Sequence, residues 1–135
     1  MDKQTFVIDG AQFSSLQEFA QYFSNLVLKN YEWRGNLDTF NDTLRGSFGT
    51  PEGGVILRWE NSALSRQRLG HLETIKWLED HIQSSNPSNV LHLTHRLTEV
   101  KAGHGETLFD TIVKIIQTHG SGGDEAEDNV ELHLV

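Results

Sequence analysis

The residues with the most distinctive chemistry lie between positions 31 and 46, which contain aromatic residues, two glycines and two aspartates. Asp38 and Asp42 are four residues apart, so a helix places both carboxylates on one side. This like-charge pair costs an isolated helix about 0.2–0.5 kcal/mol, although Arg45 can reach Asp42 from three residues away. Two interpretations stay open: an ordinary solvated helix face, or a contact surface for a cationic site on another molecule.

A second group of chemically capable residues is His92, His95 and Glu99, which follow a helical spacing that can hold a metal ion. Paired histidines at this spacing are common by chance, so an exposed polar face is the favoured interpretation. The glycines lack the spacing and the lysine of a phosphate-binding loop, and serine, histidine and aspartate are too scattered for a hydrolytic triad. The sequence therefore predicts no catalytic residue, no metal and no cofactor, and we expect a protein that is not an enzyme.

The composition limits the kind of partner. The chain has 135 residues, a net charge of -8 and no cysteine, which predicts one domain, spanning 1–135, without disulfides. The acidic balance argues against direct binding of nucleic acid and favours a basic protein. No apolar run is long enough to span a bilayer, and the first residues do not form a signal peptide. We therefore expect a cytoplasmic protein without membrane contact.

The pattern in the first half predicts the elements that position the aspartates. An apolar run at 5–8 predicts a strand buried on both faces, and Ser15 with Glu18 predicts a capping box that opens a helix to about Asn30. The next helix places Leu37, Phe40 and Leu44 toward the core and its polar residues outward. A breaker-rich connection over 47–54 leads to a second strand at 55–59, and Asn61 is a candidate N-cap for a short helix.

The second half predicts mainly helices. Residues 70–104 have the pattern of a helical hairpin, with Pro87 at the first position of its second helix and an apolar face that includes Leu72 on its first. Trp77 lies off that face, and packing within the hairpin is its favoured role. Thr107 and Asp110 predict a capping box for a deeply buried helix that ends at Gly120. An acidic loop over 121–128, interpreted as a flexible solvated linker, precedes an outer strand at 130–135. The order predicts an α/β fold with a small three-stranded parallel sheet packed with helices.

One motif connects these elements to a known family. The sequence Asn36-Leu37-Asp38-x-Phe40-x-Asp42-x-Leu44-x-Gly46 resembles the loop and second helix of the barstar family, inhibitors of the bacterial ribonuclease barnase. The order of elements is similar over residues 1–69 and 105–135, so the resemblance implies a barstar-like domain with a helical hairpin inserted at about 70–104.

The resemblance also implies a function. An immunity-type inhibitor of this kind blocks a basic extracellular ribonuclease of the barnase type with acidic side chains of the second helix and the preceding loop, and it is a monomer when free. The residues implied to bind the partner are Tyr31, Trp33, Gly35, Asn36, Asp38, Asn41, Asp42 and Arg45, with Tyr31 or Trp33 as the aromatic contact. An alternative function stays open, that of a non-inhibitory protein-protein interaction module on the same scaffold that uses the hairpin.

Overall fold

The computed structural model describes residues 3–28, 31–45 and 53–135. In chain order the elements are β1 (Gln4–Asp9), α1 (Leu16–Val27), α2 (Leu37–Leu44), β2 (Val55–Glu60), α3 (Ser62–Arg68), α4 (His71–Ser84), α5 (Pro87–Lys101), α6 (Leu108–Thr118) and β3 (Val130–Leu134). Two short 3-10 turns occupy Gly10–Gln12 and Ala126–Asp128. Among the helices described, none is long and apolar enough to cross a membrane.

The three strands form one parallel sheet in the order β1-β2-β3, which confirms the predicted α/β fold. In this register Phe6, Leu57 and Leu132 are neighbours on one face, and the helices bury that face. The prediction that β1 is buried on both faces is wrong, because Val7, which lies on the other face of the strand from Phe6, is 43% exposed. A strand at the edge of a sheet covered on one face only is half solvated, and β1 has that position.

Aromatic rings form the centre of the core. Trp59 of β2 is fully buried, and its ring stacks on Phe19 of α1 with centroids 5.4 Å apart. Phe109 of α6 meets the same indole edge to face at 5.3 Å. Such pairs add about 0.5–1.5 kcal/mol beyond the area they bury, so they fix α1 and α6 firmly against the sheet.

The predicted helix boundaries are partly confirmed. Thr107 and Asp110 form the reciprocal capping box expected at α6. At α1 only half of the box is present: the Ser15 hydroxyl accepts from the Glu18 amide, but the Glu18 carboxylate accepts from Ser14. These hydrogen bonds from Ser14, first from its amide and then from its hydroxyl, lower the pKa of Glu18. Helix α1 ends at Val27, before the predicted end, and residues 29–30 lie outside the described ranges.

Asn61 precedes α3 as predicted but does not cap it with its side chain. Its backbone is left-handed, with φ 54°. Its side-chain amide nitrogen, Nδ2, donates instead to Asp9 Oδ1 at 2.9 Å. This bond joins the end of β1 to the end of β2. Together with the hydrogen bond from the Ala11 amide, which is the larger effect, it lowers the pKa of Asp9.

The predicted helical hairpin is present as α4 and α5, with Pro87 in the first turn of α5. Leu72, placed on the apolar face by the sequence pattern, is 86% exposed, so that assignment is wrong. Thr74 and Leu78 are the buried positions of α4 instead. Trp77 is partly buried against the core, which supports a packing role.

The predicted connection over 47–54 is described only from residue 53. Gly46 and residues 47–52 therefore lie outside the described residues.

Candidate functional site

The two aspartates of α2 face outward because the opposite side of the helix is anchored in the core. Phe40 and Leu44 are 0% and 2% exposed, respectively. Asp38 is exposed, and the Asp42 side chain is 45% exposed. Asn36 begins the helix, since its side-chain oxygen accepts from the Asp38 amide at 2.9 Å. The structure therefore presents both carboxylates to solvent, with Asp38 at the positive end of the helix dipole.

The loop before α2 contains Tyr31 and Trp33, the two alternatives for the aromatic contact with a partner, and the structure gives them different exposure. Trp33 is 1% exposed, stacks on Phe40 with centroids 4.5 Å apart, and donates from its indole nitrogen to the Asn36 carbonyl at 2.8 Å. It is a core residue that shapes the loop and offers no contact area. Tyr31 is 37% exposed and keeps the predicted aromatic role as a prediction. Gly35 has φ +97°, a conformation that side chains rarely adopt.

Asn41 lies on α2 beside the aspartates, but its side chain is turned toward its own fold. Its Oδ1 is 2.9 Å from Nε2 of His119, which follows α6 and is fully buried. The other ring nitrogen, Nδ1, lies 2.6 Å from Oδ2 of Asp128. Asn41 therefore ties α2 to the C-terminal end of α6, and this use of its amide is a correction to the outward placement that the helical pattern predicted.

Arg45 contacts two carboxylates at once. Its Nη1 donates to Asp42 Oδ1 at 3.0 Å, as the spacing on α2 predicted. Its Nε and Nη2 lie 2.9 and 2.6 Å from Glu125 Oε1, in the acidic loop 80 residues further along the chain. The hydrogen bond to Glu125, followed by the charges of Glu125, Asp42 and Asp128, raises the pKa of Arg45. The loop interpreted as a solvated linker thus neutralises positive charge beside the aspartates.

His119, Glu125 and Asp128 were not identified as functional from the sequence. One signal was present: His119 lies three residues after Ile116 and seven after Ile112, both fully buried, and therefore on the buried side of α6. Nothing local indicated the two acids as its neighbours.

Two groups of histidines and acids contain the residue types that bind metal ions. Within the described ranges, the ligand atoms of His119, Glu125 and Asp128 converge to within 4.8 Å. Arg45 already supplies the cation at this cluster, so we interpret it as a polar network that joins α2 to the acidic loop. For His92, His95 and Glu99 the favoured interpretation is an exposed polar face, and His95 Nε2 pairs with Glu99 Oε1 at 2.8 Å with both side chains largely exposed.

A recess of about 390 Å³ lies where the hairpin meets the start of α2. Asn36 and Asp38 line one side, and Trp77, His81 and Arg96 line the other. The His81 ring lies 4.1 Å from the Trp77 ring between centroids, and the Arg96 guanidinium is 5.8 Å from the centre of the same indole. The hairpin is therefore continuous with the surface that carries the aspartates.

Comparison with known proteins identifies one family. A family model described as Barstar (barnase inhibitor) matches residues 3–90, which is more than half of the chain. The matched residues run from β1 through α4 into the first turn of α5, and they include the whole of α2. They therefore reach into the hairpin predicted as an insertion and end before α6 and β3. No curated protein matches the chain.

Proposed function

The chain belongs to the barstar (barnase inhibitor) family, and from this membership we propose that it inhibits a basic ribonuclease of the barnase type. The observation that carries the proposal is the outward presentation of Asp38 and Asp42 on α2, a helix that the family match covers. A carboxylate that enters a cationic active site occupies the position of an RNA phosphate. The inhibitor then acts as a stoichiometric plug that carries out no chemistry.

Asp42 is proposed as the main inserting group. A carboxylate accepts hydrogen bonds from several cationic donors at once, and such charge-assisted bonds are about twice as strong as neutral ones. Asp38 and Asn36 flank it at the start of α2, and Tyr31 and Gly35 contribute the adjoining loop surface.

The charge balance around α2 supports this assignment. Residues 31–45 contain three acids and two arginines. Glu125 pairs with Arg45 from across the fold, so the surface that a partner meets is more acidic than the local sequence suggests. A net charge of -8 also favours fast association with a basic protein. Action in the cytoplasm, as a monomer that silences the nuclease before its export, belongs to the same proposal.

Titration of RNA cleavage tests the proposal. The purified chain, mixed with a barnase-type ribonuclease, is expected to abolish cleavage at a one-to-one ratio. The variant Asp42→Ala is expected to bind about 30- to 4,000-fold more weakly. This range corresponds to about 2–5 kcal/mol for truncating one partner of a buried charge pair, a range to which the barnase-barstar complex itself contributes.

Glu60→Ala is the matched control for this experiment. The Glu60 side chain is 43% exposed and pairs with Arg58 at 2.9 Å, much as Asp42 pairs with Arg45, but it lies on the open face of the sheet. It is expected to inhibit like the wild type. Undiminished RNA cleavage at a micromolar excess of the wild-type chain would refute inhibition of this class of nuclease.

The recess beside the hairpin favours one second candidate, a non-inhibitory interaction module. Its wall combines Trp77 with Arg96, and aromatic and arginine side chains are enriched where proteins bind one another. In copurification, a partner held by this wall is expected to be lost with Arg96→Glu and kept with Asp42→Ala. An inhibited nuclease held mainly by Asp42 is expected to show the stronger loss with Asp42→Ala.

A further inference from the structure

The acidic loop, residues 121–128, is ordered by backbone hydrogen bonds, one of which returns to α6. The Glu125 amide donates to the Thr118 carbonyl at 2.9 Å, and the Gly123 amide donates to the Gly120 carbonyl at the same distance. The Asp128 amide donates to the Glu125 carbonyl at 3.1 Å. These bonds fold the loop back on the end of α6, which places the Glu125 side chain at a defined position beside α2.

At that position Glu125 and Asp42 share one guanidinium. Arg45 donates from Nε and Nη2 to Glu125 and from Nη1 to Asp42. The Glu125 side chain is 28% exposed and that of Asp42 is 45% exposed, so Glu125 is the better shielded partner. An ion pair that is more shielded from water is the stronger one at equal distance. Arg45 is therefore held mainly by Glu125.

This sharing matters if Asp42 enters a cationic site. Its carboxylate then gives up the hydrogen bond from Arg45 and accepts hydrogen bonds from the cations of the nuclease, which is one obstacle to binding. The second obstacle is that Arg45 remains close and its positive charge repels those cations. A neighbouring carboxylate that keeps Arg45 removes both obstacles, because it holds the guanidinium away from Asp42 and neutralises it. We propose that Glu125 is a positioning residue of the inhibitory surface, acting on Asp42 through Arg45. This inference rests on the proposed function.

The surroundings of Glu125 support a fixed position for this carboxylate. Its Oε2 is 3.7 Å from Nε2 of the buried His119, whose other nitrogen contacts Asp128 in the same loop. Asn41 completes the connection from His119 to α2. The two Glu125 oxygens therefore have different neighbours, Arg45 at Oε1 and the His119 ring near Oε2, and the backbone beside them is hydrogen-bonded to α6.

A mutant cycle tests the role of Glu125. In titrations of barnase-type ribonuclease activity, Glu125→Gln is expected to weaken inhibition about five-fold, the upper end of what an exposed ion pair contributes. Glu127→Gln, the same change at an exposed position two residues away, is expected to alter inhibition less than about two-fold. In a chain that already carries Arg45→Gln, Glu125→Gln is expected to have no further effect. This rescue separates the proposed role from a structural one, which the second substitution would not reverse.

The outcomes are distinguishable. Equal inhibition by the Glu125→Gln and Glu127→Gln variants overturns the inference, as does an equal loss from Glu125→Gln with and without Arg45. The conservative variant Glu125→Asp keeps a carboxylate beside Arg45 and is expected to lose less inhibition than Glu125→Gln. An equal loss from Glu125→Asp and Glu125→Gln, with both variants folded by circular dichroism, overturns the inference. If Asp42→Ala inhibits the ribonuclease more weakly than the wild type, the proposed function stands whichever of these results is obtained. A wild-type chain that does not inhibit overturns both.

Discussion

His119 offers a sharp test of how the candidate surface is supported. Its ring is fully buried and joins Asn41 on α2 to Asp128 in the acidic loop, at 2.9 and 2.6 Å. The substitution His119→Leu keeps an apolar body of similar size but removes both polar contacts. It leaves the Asp128 carboxylate, whose side chain is 16% exposed, without its nearest partner.

The magnitude follows from these two lost contacts. An unsatisfied buried group costs about 1–3 kcal/mol, and a buried charge that loses its partner costs more. Because Asp128 keeps some contact with water, we expect a total loss of about 2–4 kcal/mol in the free energy of unfolding. A chain of 135 residues has an unfolding entropy of about 0.28 kcal/mol per degree, so Tm is expected to fall by about 7–14 °C.

His95→Leu is the matched control. His95 also contacts a carboxylate, that of Glu99 at 2.8 Å, but its side chain is 73% exposed on α5. An exposed pair of this kind contributes about 0–1 kcal/mol, so a Tm within about 4 °C of wild type is expected. Thermal unfolding followed by circular dichroism compares the two variants. If His119→Leu lowers Tm no more than His95→Leu, the reasoning that burial makes this network structural is refuted.

Two further predictions concern the scaffold. Thr74→Val is expected to lower the free energy of unfolding in urea by about 1–3 kcal/mol, because the buried Thr74 hydroxyl accepts a hydrogen bond from the first amide of α6 at 2.8 Å. The control Thr98→Val, on the exposed face of α5, is expected to change this free energy by no more than about 0.5 kcal/mol. The lowered pKa of Asp9 means that its contribution to stability is complete above its unfolded value, 3.8, and is lost as pH falls through the lower folded value. Asp9→Asn is therefore expected to weaken the acid dependence of unfolding below pH 3.8, and an unchanged slope would contradict this assignment.

The sequence predicted the elements well where a local signal was strong. The capping box at Thr107 and the proline at the start of α5 gave two helix boundaries that the structure confirms. The burial of strand β1 and the apolar face of α4 were predicted less well. A run such as that around Val7 has the same residues whether helices cover one face of its sheet or both, and only the tertiary structure decides between them; here Arg58, beside Val7 on the central strand, is exposed on the same face. Leu72 extends a helical stripe correctly in angle but lies where no other element covers it.

The candidate surface shows the same division. Periodicity alone placed Phe40 toward the core and Asp38 and Asp42 away from it, since residues three and four positions apart share one side of a helix and the apolar side packs against the core. Contacts between distant parts of the chain carry no such periodic signal. Only the tertiary structure decided that Asn41 turns to His119 and that Glu125 meets Arg45 across 80 residues of sequence. The sequence determined which carboxylates reach solvent, and the packing of α6 and its loop against α2 determined which charges stand beside them.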